Sequence, residues 1–271
     1  MKSEEYLYHY TSIEALALIL KNRTIRFNSL DKMDDLQEKE TADIKNIGQF
    51  CYISSWTDDS SESIPMWNMY ASMNLGVRIK LPKNPFKVYV NTDSELSQAF
   101  SEQIDIQIQG DSLETIIPLA EMLSKGFISP QAMDRQLIHK VEYTDDSEKL
   151  YPHILANDGD HFMIKIGELG LYKNLHWEFQ REWRYILSVF PLNLLKDSIK
   201  DFQQIANRMR LGLEKQPFPY YDMTISDETF SDMEITLSPR ISSGSRVIVQ
   251  SLIEKYNPSA KLVESDLVGL I

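Results

Sequence analysis

Short strand-like segments recur from one end of the chain to the other, and this distribution constrains the fold most. They are Thr24–Phe27, Phe50–Trp56, Val77–Leu81, Lys87–Val90, Lys140–Tyr143, Trp183–Val189 and Glu234–Leu237. No internal repeat, low-complexity tract or Gly/Ser-rich linker separates them. Strands that are spread in this way and alternate with helices predict a single mixed α+β domain over residues 1–271.

Helical patterns fall between these segments. Thr11 and Glu14 have the spacing of a capping box, which predicts a helix that begins after Thr11 and stops near Asn22. The middle of the chain, about residues 95–138, reads as a helical insertion, in which Leu113–Leu123 is one helix. Three further segments have helical spacing of apolar residues and are expected to be helices: Phe162–Leu175, Leu192–Met209 and Val247–Tyr256.

The net charge of the chain disfavours one large class of functions. Lys and Arg total 28 against 40 Asp and Glu, which gives −12 at pH 7. Proteins that coat nucleic acid usually carry a basic surface, so no general nucleic-acid binding is expected. A local basic cleft stays possible, because net charge describes the whole surface.

The numbers of cysteines and histidines and the length of the apolar runs indicate whether the chain binds metal or spans a membrane. The single cysteine, Cys51, lies in an apolar segment and is expected to be a buried, inert thiol. With five histidines and one cysteine, no metal site is expected. No window has the ~18 apolar residues of a membrane span, and the N-terminus does not resemble a signal peptide. We therefore expect a cytoplasmic protein without a membrane partner.

An aromatic-flanked histidine is the first of three candidate clusters. His9 lies in the segment Leu7–Thr11, at the end of an expected strand and directly before the first helix. Such a histidine can bind a ligand. It can equally do no more than hydrogen-bond a backbone carbonyl at the strand end.

The second cluster is Ser54–Trp56 followed by Met66–Tyr70, in which Trp67 and Tyr70 share one face of an expected helix that begins near Pro65. Aromatic residues at this spacing can form a stacking platform. They can also be ordinary core residues.

The third cluster is Gln180, Glu182 and Arg184. We expect these side chains on one face at the start of the buried strand predicted over Trp183–Val189. Glu182 and Arg184 can form a plain ion pair. Buried strands rarely carry three polar side chains on one face unless a cleft or ligand receives them. This pattern therefore favours a binding cleft.

These segments together resemble a bacterial family known as domain of unknown function 2971. The matching parts are Leu7–Ser12, Trp67–Tyr70 before the Gly76–Ile79 strand, and Gln180–Arg184; Ile235–Pro239 and Ser265 resemble the family's ending. Gln180 departs from the family, which more often has Glu there. The resemblance spans nearly the whole chain apart from the helical middle.

The order of the clusters is also similar to the ADP-ribosyltransferase fold, and this resemblance implies both architecture and roles. It implies a mixed, mainly antiparallel core of split sheets, and NAD as the cofactor that the enzyme consumes. Glu182 would be the catalytic carboxylate, and Gln180 would face the nucleophile. The implied cofactor-binding residues are His9 on ribose, Trp67 or Tyr70 on nicotinamide, and Arg26 or Arg184 on phosphate, together with Tyr10 and Thr11.

The implied chemistry suits these residue types. Cleavage between nicotinamide and ribose develops positive charge on the ribose, which a fixed carboxylate stabilises. An aromatic face attracts the cationic nicotinamide ring, and the fork of an arginine matches phosphate oxygens. We therefore expect an ADP-ribosyltransferase-like enzyme that modifies an unknown protein or nucleic-acid acceptor, as a toxin or phage-defence effector would. The alternative is a non-catalytic nucleotide- or peptide-binding module of the same fold.

Overall fold

The computed structural model describes residues 5–92, 112–135, 137–158, 161–194, 197 and 201–271. These residues form a mixed, mainly antiparallel α+β structure, as the sequence predicts. The strands are β1 (Tyr6–Ser12), β2 (Thr24–Ser29), β3 (Cys51–Thr57), β4 (Gly76–Pro82), β5 (Tyr89–Asn91), β6 (Leu113–Thr115), β7 (Ile138–Lys140), β8 (Glu142–Thr144), β9 (Leu155–Asp158), β10 (His161–Ile164), β11 (Tyr172–Asn174), β12 (Glu182–Ser188), β13 (Tyr220–Thr224), β14 (Glu234–Leu237) and β15 (Lys261–Val263).

The α-helices within the described residues are α1 (Ile13–Asn22), α2 (Ile64–Met66), α3 (Ser72–Leu75), α4 (Leu119–Lys125), α5 (Pro130–Asp134), α6 (Ser147–Leu150), α7 (Phe202–Arg210), α8 (Asp227–Ser231) and α9 (Ser243–Tyr256). One π-helical segment, Trp67–Ala71, joins α2 to α3, and a 3₁₀ helix, Leu175–Gln180, precedes β12. None of the helices in these ranges is both apolar enough and long enough to cross a membrane.

The main sheet consists of two halves. One half has the order β15-β14-β4-β1, and the other has the order β7-β12-β3-β2-β13. All neighbours in both halves are antiparallel except β14 and β15. A single residue pair, Tyr8 with Thr57, joins β1 of one half to β3 of the other.

The two halves diverge along one edge of β3. Near its start, Tyr52 and Ile53 pair with β2, and at its end Thr57 pairs with β1. Ser54–Trp56 therefore has no strand partner on this edge among the described residues, whereas its other edge pairs continuously with β12. We call this opening between β1 and β3 the fork.

The first helix begins one residue later than the capping-box pattern predicts. Ser12 is the N-cap, and its hydroxyl accepts a hydrogen bond from the Ala15 amide at 3.1 Å. Thr11 instead remains in β1, where it pairs with Val77. The predicted stop at Asn22 is confirmed, because Arg23 adopts a left-handed conformation with a φ of 58°.

The predicted helix near Pro65 is present but irregular. Ser63 caps α2, Pro65 occupies its first turn, and the chain then continues as the π-helical segment. Ser72 ends that segment with a φ of 50°. A Cβ atom at Gly76 would lie 1.9 Å from the carbonyl oxygen of Ala71, so only glycine lets β4 start this close to the segment.

The helical middle is only partly present. The predicted helix Leu113–Leu123 is wrong at its start, because Leu113–Thr115 pairs with β5 as β6. Helices α4 and α5 follow within the predicted insertion, and its first part, residues 95–111, lies outside the described residues. Thr115 shows why the strand forms: its buried hydroxyl donates to the Ile117 carbonyl and lies 3.2 Å from Asn91 of β5.

The predicted helix Phe162–Leu175 is wrong. The segment contains β10, a 3₁₀ turn and β11, and Gly170 adopts a φ of 77° between them. β11 pairs in parallel with β8, and this pairing turns Lys173 into the interior. The predicted helix Leu192–Met209 is described only as α7, with Leu192 buried ahead of it in non-helical chain.

The hydrophobic core contains the strand that the sequence predicts over Phe50–Trp56. Strand β3 is buried along almost its whole length, and it contributes Cys51, Ile53 and Trp56 to the largest hydrophobic cluster. Cys51 is buried as predicted, and burial raises the pKa of its thiol to about 12. A smaller cluster around Tyr10, Met66 and Trp67 holds the π-helical segment against β1.

Candidate functional site

A cleft occupies the fork, and it consists of two adjoining cavities. The fork cavity, of about 100 Å³, is lined chiefly by Tyr8, His9, Tyr10, Asp34, Glu38, Ser55, Tyr70, Lys173, Gln180, Glu182 and Arg184. The helix cavity, of about 290 Å³, lies beside α1 and β2 and is lined chiefly by Thr11, Ile19, Asn22, Arg26, Asn28, Ser54 and Asp222. Four residues line both cavities: His9, Met33, Ser55 and Tyr70.

His9 bridges the two halves of the sheet. Its Nδ1 lies 2.8 Å from the carbonyl oxygen of Ser55, on the open edge of β3. A carbonyl can only accept, so Nδ1 carries the proton and donates. Burial lowers the pKa of the imidazole, although the bond to Ser55 acts in the opposite direction. The ring is therefore neutral, and Nε2 keeps a lone pair that can accept a hydrogen bond.

A chain of hydrogen bonds through Lys173 and Gln180 determines whether the Tyr70 hydroxyl oxygen donates or accepts. The ammonium group of Lys173, which can only donate, lies 2.8 Å from Oε1 of Gln180. The amide nitrogen of Gln180 therefore faces Tyr70 and donates to its hydroxyl oxygen. Because this oxygen accepts from Gln180, the Tyr70 proton is free to donate elsewhere. Burial raises the pKa of Tyr70, so the hydroxyl keeps that proton at neutral pH.

Glu182 lies at the floor of the fork cavity and is only 4% exposed. Its Oε1 accepts from Nε of Arg184 at 2.7 Å, and its Oε2 accepts from Lys173 at 3.1 Å. Burial acts to raise the pKa of this carboxyl, but the charges of Arg184 and Lys173 outweigh it and lower the pKa to about 2. Glu182 is thus ionised at neutral pH and held in a fixed orientation.

The structure does not support the phosphate role for Arg184. This side chain is 1% exposed, and its nitrogens donate to Glu182, to the carbonyl of Gly170 and to Glu38. All three guanidinium nitrogens are engaged within the protein. The sequence pattern that places Arg184 near a cleft is correct, but the guanidinium serves to hold two carboxylates.

Trp67 is not among the residues that line the two cavities. It is fully buried, its indole nitrogen donates to Glu62 at 2.8 Å, and its ring meets Tyr10 edge-on at 5.0 Å. The π-helical turn places Tyr70, one turn later, at the cleft instead. Tyr10 lines the fork cavity, but its hydroxyl accepts from the backbone of Ser63.

Arg26 lines the helix cavity together with Thr11. Its Nε and one terminal nitrogen donate to the two oxygens of Asp222 at 2.8 and 2.9 Å. The guanidinium also stacks on Tyr220, 3.5 Å from the ring centre. Arg26 is therefore already paired with a carboxylate in the place where the sequence predicts a phosphate contact.

Gln180 occupies a different element from the one predicted. It ends the 3₁₀ helix Leu175–Gln180, and Arg181 turns the chain with a φ of 46° before β12 begins. Glu182 and Arg184 do share one face of β12. Gln180 is 4% exposed and joins them through Lys173, so both ends of its amide are engaged within the protein.

Three polar residues of the fork cavity were not identified from the sequence: Asp34, Glu38 and Lys173. Lys173 and Glu38 are 7% and 8% exposed, which is unusual for charged residues. Neither stands in a recognisable motif. A lysine between Tyr172 and Asn174 reads as a surface residue, and only the pairing of β11 with β8 buries it.

Within the described ranges, no group of three or more His, Cys, Asp or Glu side chains is placed to hold a metal ion. No protein-family model, curated protein or solved structure matches this chain. The resemblances that the sequence suggests therefore stay predictions.

Proposed function

We propose that this chain is an ADP-ribosyltransferase-type enzyme, which cleaves the bond between nicotinamide and ribose in NAD and transfers ADP-ribose to an acceptor. One observation carries the proposal: His9, Tyr70 and Glu182, from three separate parts of the chain, line one cavity where the two sheet halves diverge. Distant polar residues that meet in a cleft, one of them with a strongly shifted pKa, are typical of active sites.

His9 and Tyr70 suit the binding of a ribosyl pyridinium group. The neutral imidazole offers Nε2 as an acceptor for a ribose hydroxyl, and the bond to Ser55 fixes its orientation. Tyr70 offers an aromatic face to the cationic ring, and its hydroxyl is oriented by Gln180. Neither group needs to change its protonation state when a ligand binds.

Glu182 suits the electrostatic part of the reaction. In the proposed step the bond between C1′ of ribose and the nicotinamide nitrogen breaks, and its electron pair stays on the nitrogen, which becomes neutral. The acceptor's nucleophilic atom bonds to C1′ and loses its proton to solvent. Glu182 lies ionised in a water-poor site, where a fixed negative charge stabilises positive charge developing on the ribose.

The test is release of nicotinamide from NAD, followed by chromatography. We expect release by the unmodified protein and a loss of about a hundredfold for Glu182→Gln and for His9→Gln, the size typical of removing one preorganised stabilising group. Glu178→Gln is the matched control, because Glu178 is exposed and lies outside the cleft. Thermal melts confirm that each variant is folded. Equal release by the protein and its Glu182→Gln variant would contradict the proposal.

One observation favours a second candidate, a binding module without catalysis. The charge of Glu182 is already compensated by Arg184 and Lys173, which weakens its effect on a developing cation. A non-catalytic module would bind NAD and raise the melting temperature but release no nicotinamide. That result, with binding abolished in His9→Gln, would establish the second candidate.

A further inference from the structure

The charges around the cleft do not match those of a dinucleotide. Among the described residues that line the fork cavity, Asp34, Glu38 and Glu182 are acidic, whereas Lys173 and Arg184 are basic. Three carboxylates against two cations leave one net negative charge, because His9 is neutral. In the helix cavity Arg26 and Asp222 cancel.

Each cation at the cleft already has a carboxylate partner. Arg184 contacts Glu38 at 2.6 Å and Glu182 at 2.7 Å, and Lys173 lies 3.1 Å from Glu182. Arg26 forms a two-point contact with Asp222. A diphosphate requires cations or amide donors that can turn toward it. Lys173 and Arg184 would have to break existing ion pairs to provide them, and Arg26 would have to share its guanidinium with Asp222.

A buried carboxylate oxygen at the same cavity lacks a donor. Oε2 of Glu38 has no hydrogen-bond partner among the described residues, and the side chain is 2% exposed. Buried polar atoms are nearly always paired, so an unpaired oxygen here is an acceptor available to a ligand. Asp34 lines the same cavity, is exposed and adds a further negative charge.

From these observations we infer that the cleft recognises the positively charged riboside half of its substrate, a ribosyl pyridinium with a carboxamide donor, and that the diphosphate contributes nothing to recognition. Glu38 accepts a hydrogen bond from the ligand, and Asp34 attracts its positive charge. This inference rests on the proposed function, since it concerns the same cleft. It specifies the substrate class as cationic N-ribosides rather than nucleotides in general.

The experiment is calorimetric titration of the full chain with five probes: nicotinamide riboside, nicotinamide mononucleotide, NAD, NADH and ADP-ribose. NAD and NADH differ in the charge of the nicotinamide ring, and the riboside and mononucleotide differ by one phosphate. We expect the riboside to bind at least as tightly as the mononucleotide. NADH and ADP-ribose should bind at least about tenfold more weakly than NAD. Affinity for ADP-ribose equal to that for the riboside would overturn the inference.

Two variants test the acidic residues directly. Asp34→Asn removes the exposed charge without breaking an ion pair, and we expect the riboside to bind about two- to fivefold more weakly, the range of a partly screened charge. Glu254→Gln removes one exposed charge from α9. Glu254 lines neither cavity, so this variant should leave the affinity for the riboside unchanged. An equal effect of both variants would show that only net charge matters and would overturn the assignment of Asp34. Glu38→Gln should weaken binding further, provided that its melting curve shows a folded protein.

The outcomes separate the inference from the proposed function. Riboside binding without nicotinamide release supports the inference and contradicts catalysis. Nicotinamide release from NAD together with tighter binding of the mononucleotide than of the riboside supports catalysis and overturns the inference. Absence of binding for all five probes overturns both.

Discussion

The two ring nitrogens of His9 lie in different surroundings, and this difference governs how the residue responds to pH. Nδ1 donates to Ser55, whereas Nε2 has no hydrogen-bond partner among the described residues. Burial lowers the pKa below the value of about 6.5 found in unfolded chains. The folded state therefore binds the proton of His9 more weakly than the unfolded state does.

This difference predicts a pH-dependent stability. Above pH 6.5 the imidazole of His9 is neutral in both the folded and the unfolded state, so its lowered pKa does not change the free energy of unfolding. As the pH falls below 6.5 the unfolded state takes up the proton first, so the free energy of unfolding falls, by at most about 1.4 kcal/mol per pH unit from one proton. Urea unfolding between pH 7.5 and 5 should show this slope, and His9→Gln should lack it. An identical slope in both proteins would contradict the assignment.

Lys173 is a residue of the site that could not be identified from the sequence. It contacts Gln180, Glu182 and Glu38, and it determines which way the Gln180 amide points. The sequence identified Gln180, Glu182 and Arg184 because their polar pattern is unusual. It could not identify Lys173, whose burial depends on a strand pairing across 30 residues of chain.

We predict that Lys173→Met destabilises the protein by about 3–5 kcal/mol, because Arg184 alone then faces the two buried carboxylates of Glu38 and Glu182 and one negative charge stays uncompensated. Lys149→Met is the matched control: this lysine pairs with Glu142 at the surface, and its loss should not change the melting temperature measurably. Circular dichroism melts of both variants make the comparison. Equal melting temperatures would show that the buried cluster does not depend on Lys173.

At the scale of elements, the π-helical segment Trp67–Ala71 carries Tyr70 to the cleft. A π-turn widens the helix by one residue and is often found at functional sites. Its position depends on Gly76, because a Cβ there would meet the Ala71 carbonyl at 1.9 Å. The sequence predicts a helix here from Pro65 and the spacing of Trp67 and Tyr70. It does not predict the π-turn, which buries Trp67 and places Tyr70 at the cleft.

We therefore predict that Gly76→Ala displaces the segment and lowers both the melting temperature and the affinity for nicotinamide riboside. The cost should be in the range of about 1–3 kcal/mol that overpacking a well-packed site typically imposes. Gly167→Ala is the control, since a Cβ at Gly167 would meet nothing within 4 Å. If Gly76→Ala binds the riboside as tightly as the unmodified protein, the segment does not position Tyr70 in the way described.

The failed helix predictions have a common physical cause. Phe162–Leu175 has helical spacing of apolar residues, but Gly170 with its positive φ and the pairing of β11 with β8 impose extended chain. Leu113–Thr115 similarly pairs with β5. Local spacing predicted β3, β4 and β12 correctly, because these strands are buried on both faces and their apolar runs are unambiguous.

At the scale of the whole molecule, the two halves of the sheet meet at one residue pair and separate beyond it. The sequence predicted the α+β class from the spread of strands along the chain. It predicted that His9 and Glu182 face a shared crevice only through a resemblance, because no local pattern places β1 beside β3 and β12. The fork that brings these strands together is a property of the topology.

This arrangement predicts where a ligand slows hydrogen exchange. A ligand in the fork contacts both halves, so backbone amides of residues 9–11 in β1 and 54–56 in β3 should exchange more slowly when nicotinamide riboside is added. Helix α9, whose residues line neither the fork cavity nor the helix cavity, should exchange at an unchanged rate. Exchange-coupled mass spectrometry gives both values in one experiment. Protection confined to one half of the sheet would contradict a site between the halves.

The most direct test of the central claim observes His9 itself. In a nitrogen-15 NMR spectrum of the imidazole rings, His9 should carry its proton on Nδ1 at neutral pH, because Nδ1 donates to Ser55. Titration with nicotinamide riboside should then shift the Nε2 resonance of His9, while those of the exposed residues His153 and His176 stay in place. A riboside that binds and leaves the His9 resonances unmoved would contradict a ligand site at the fork.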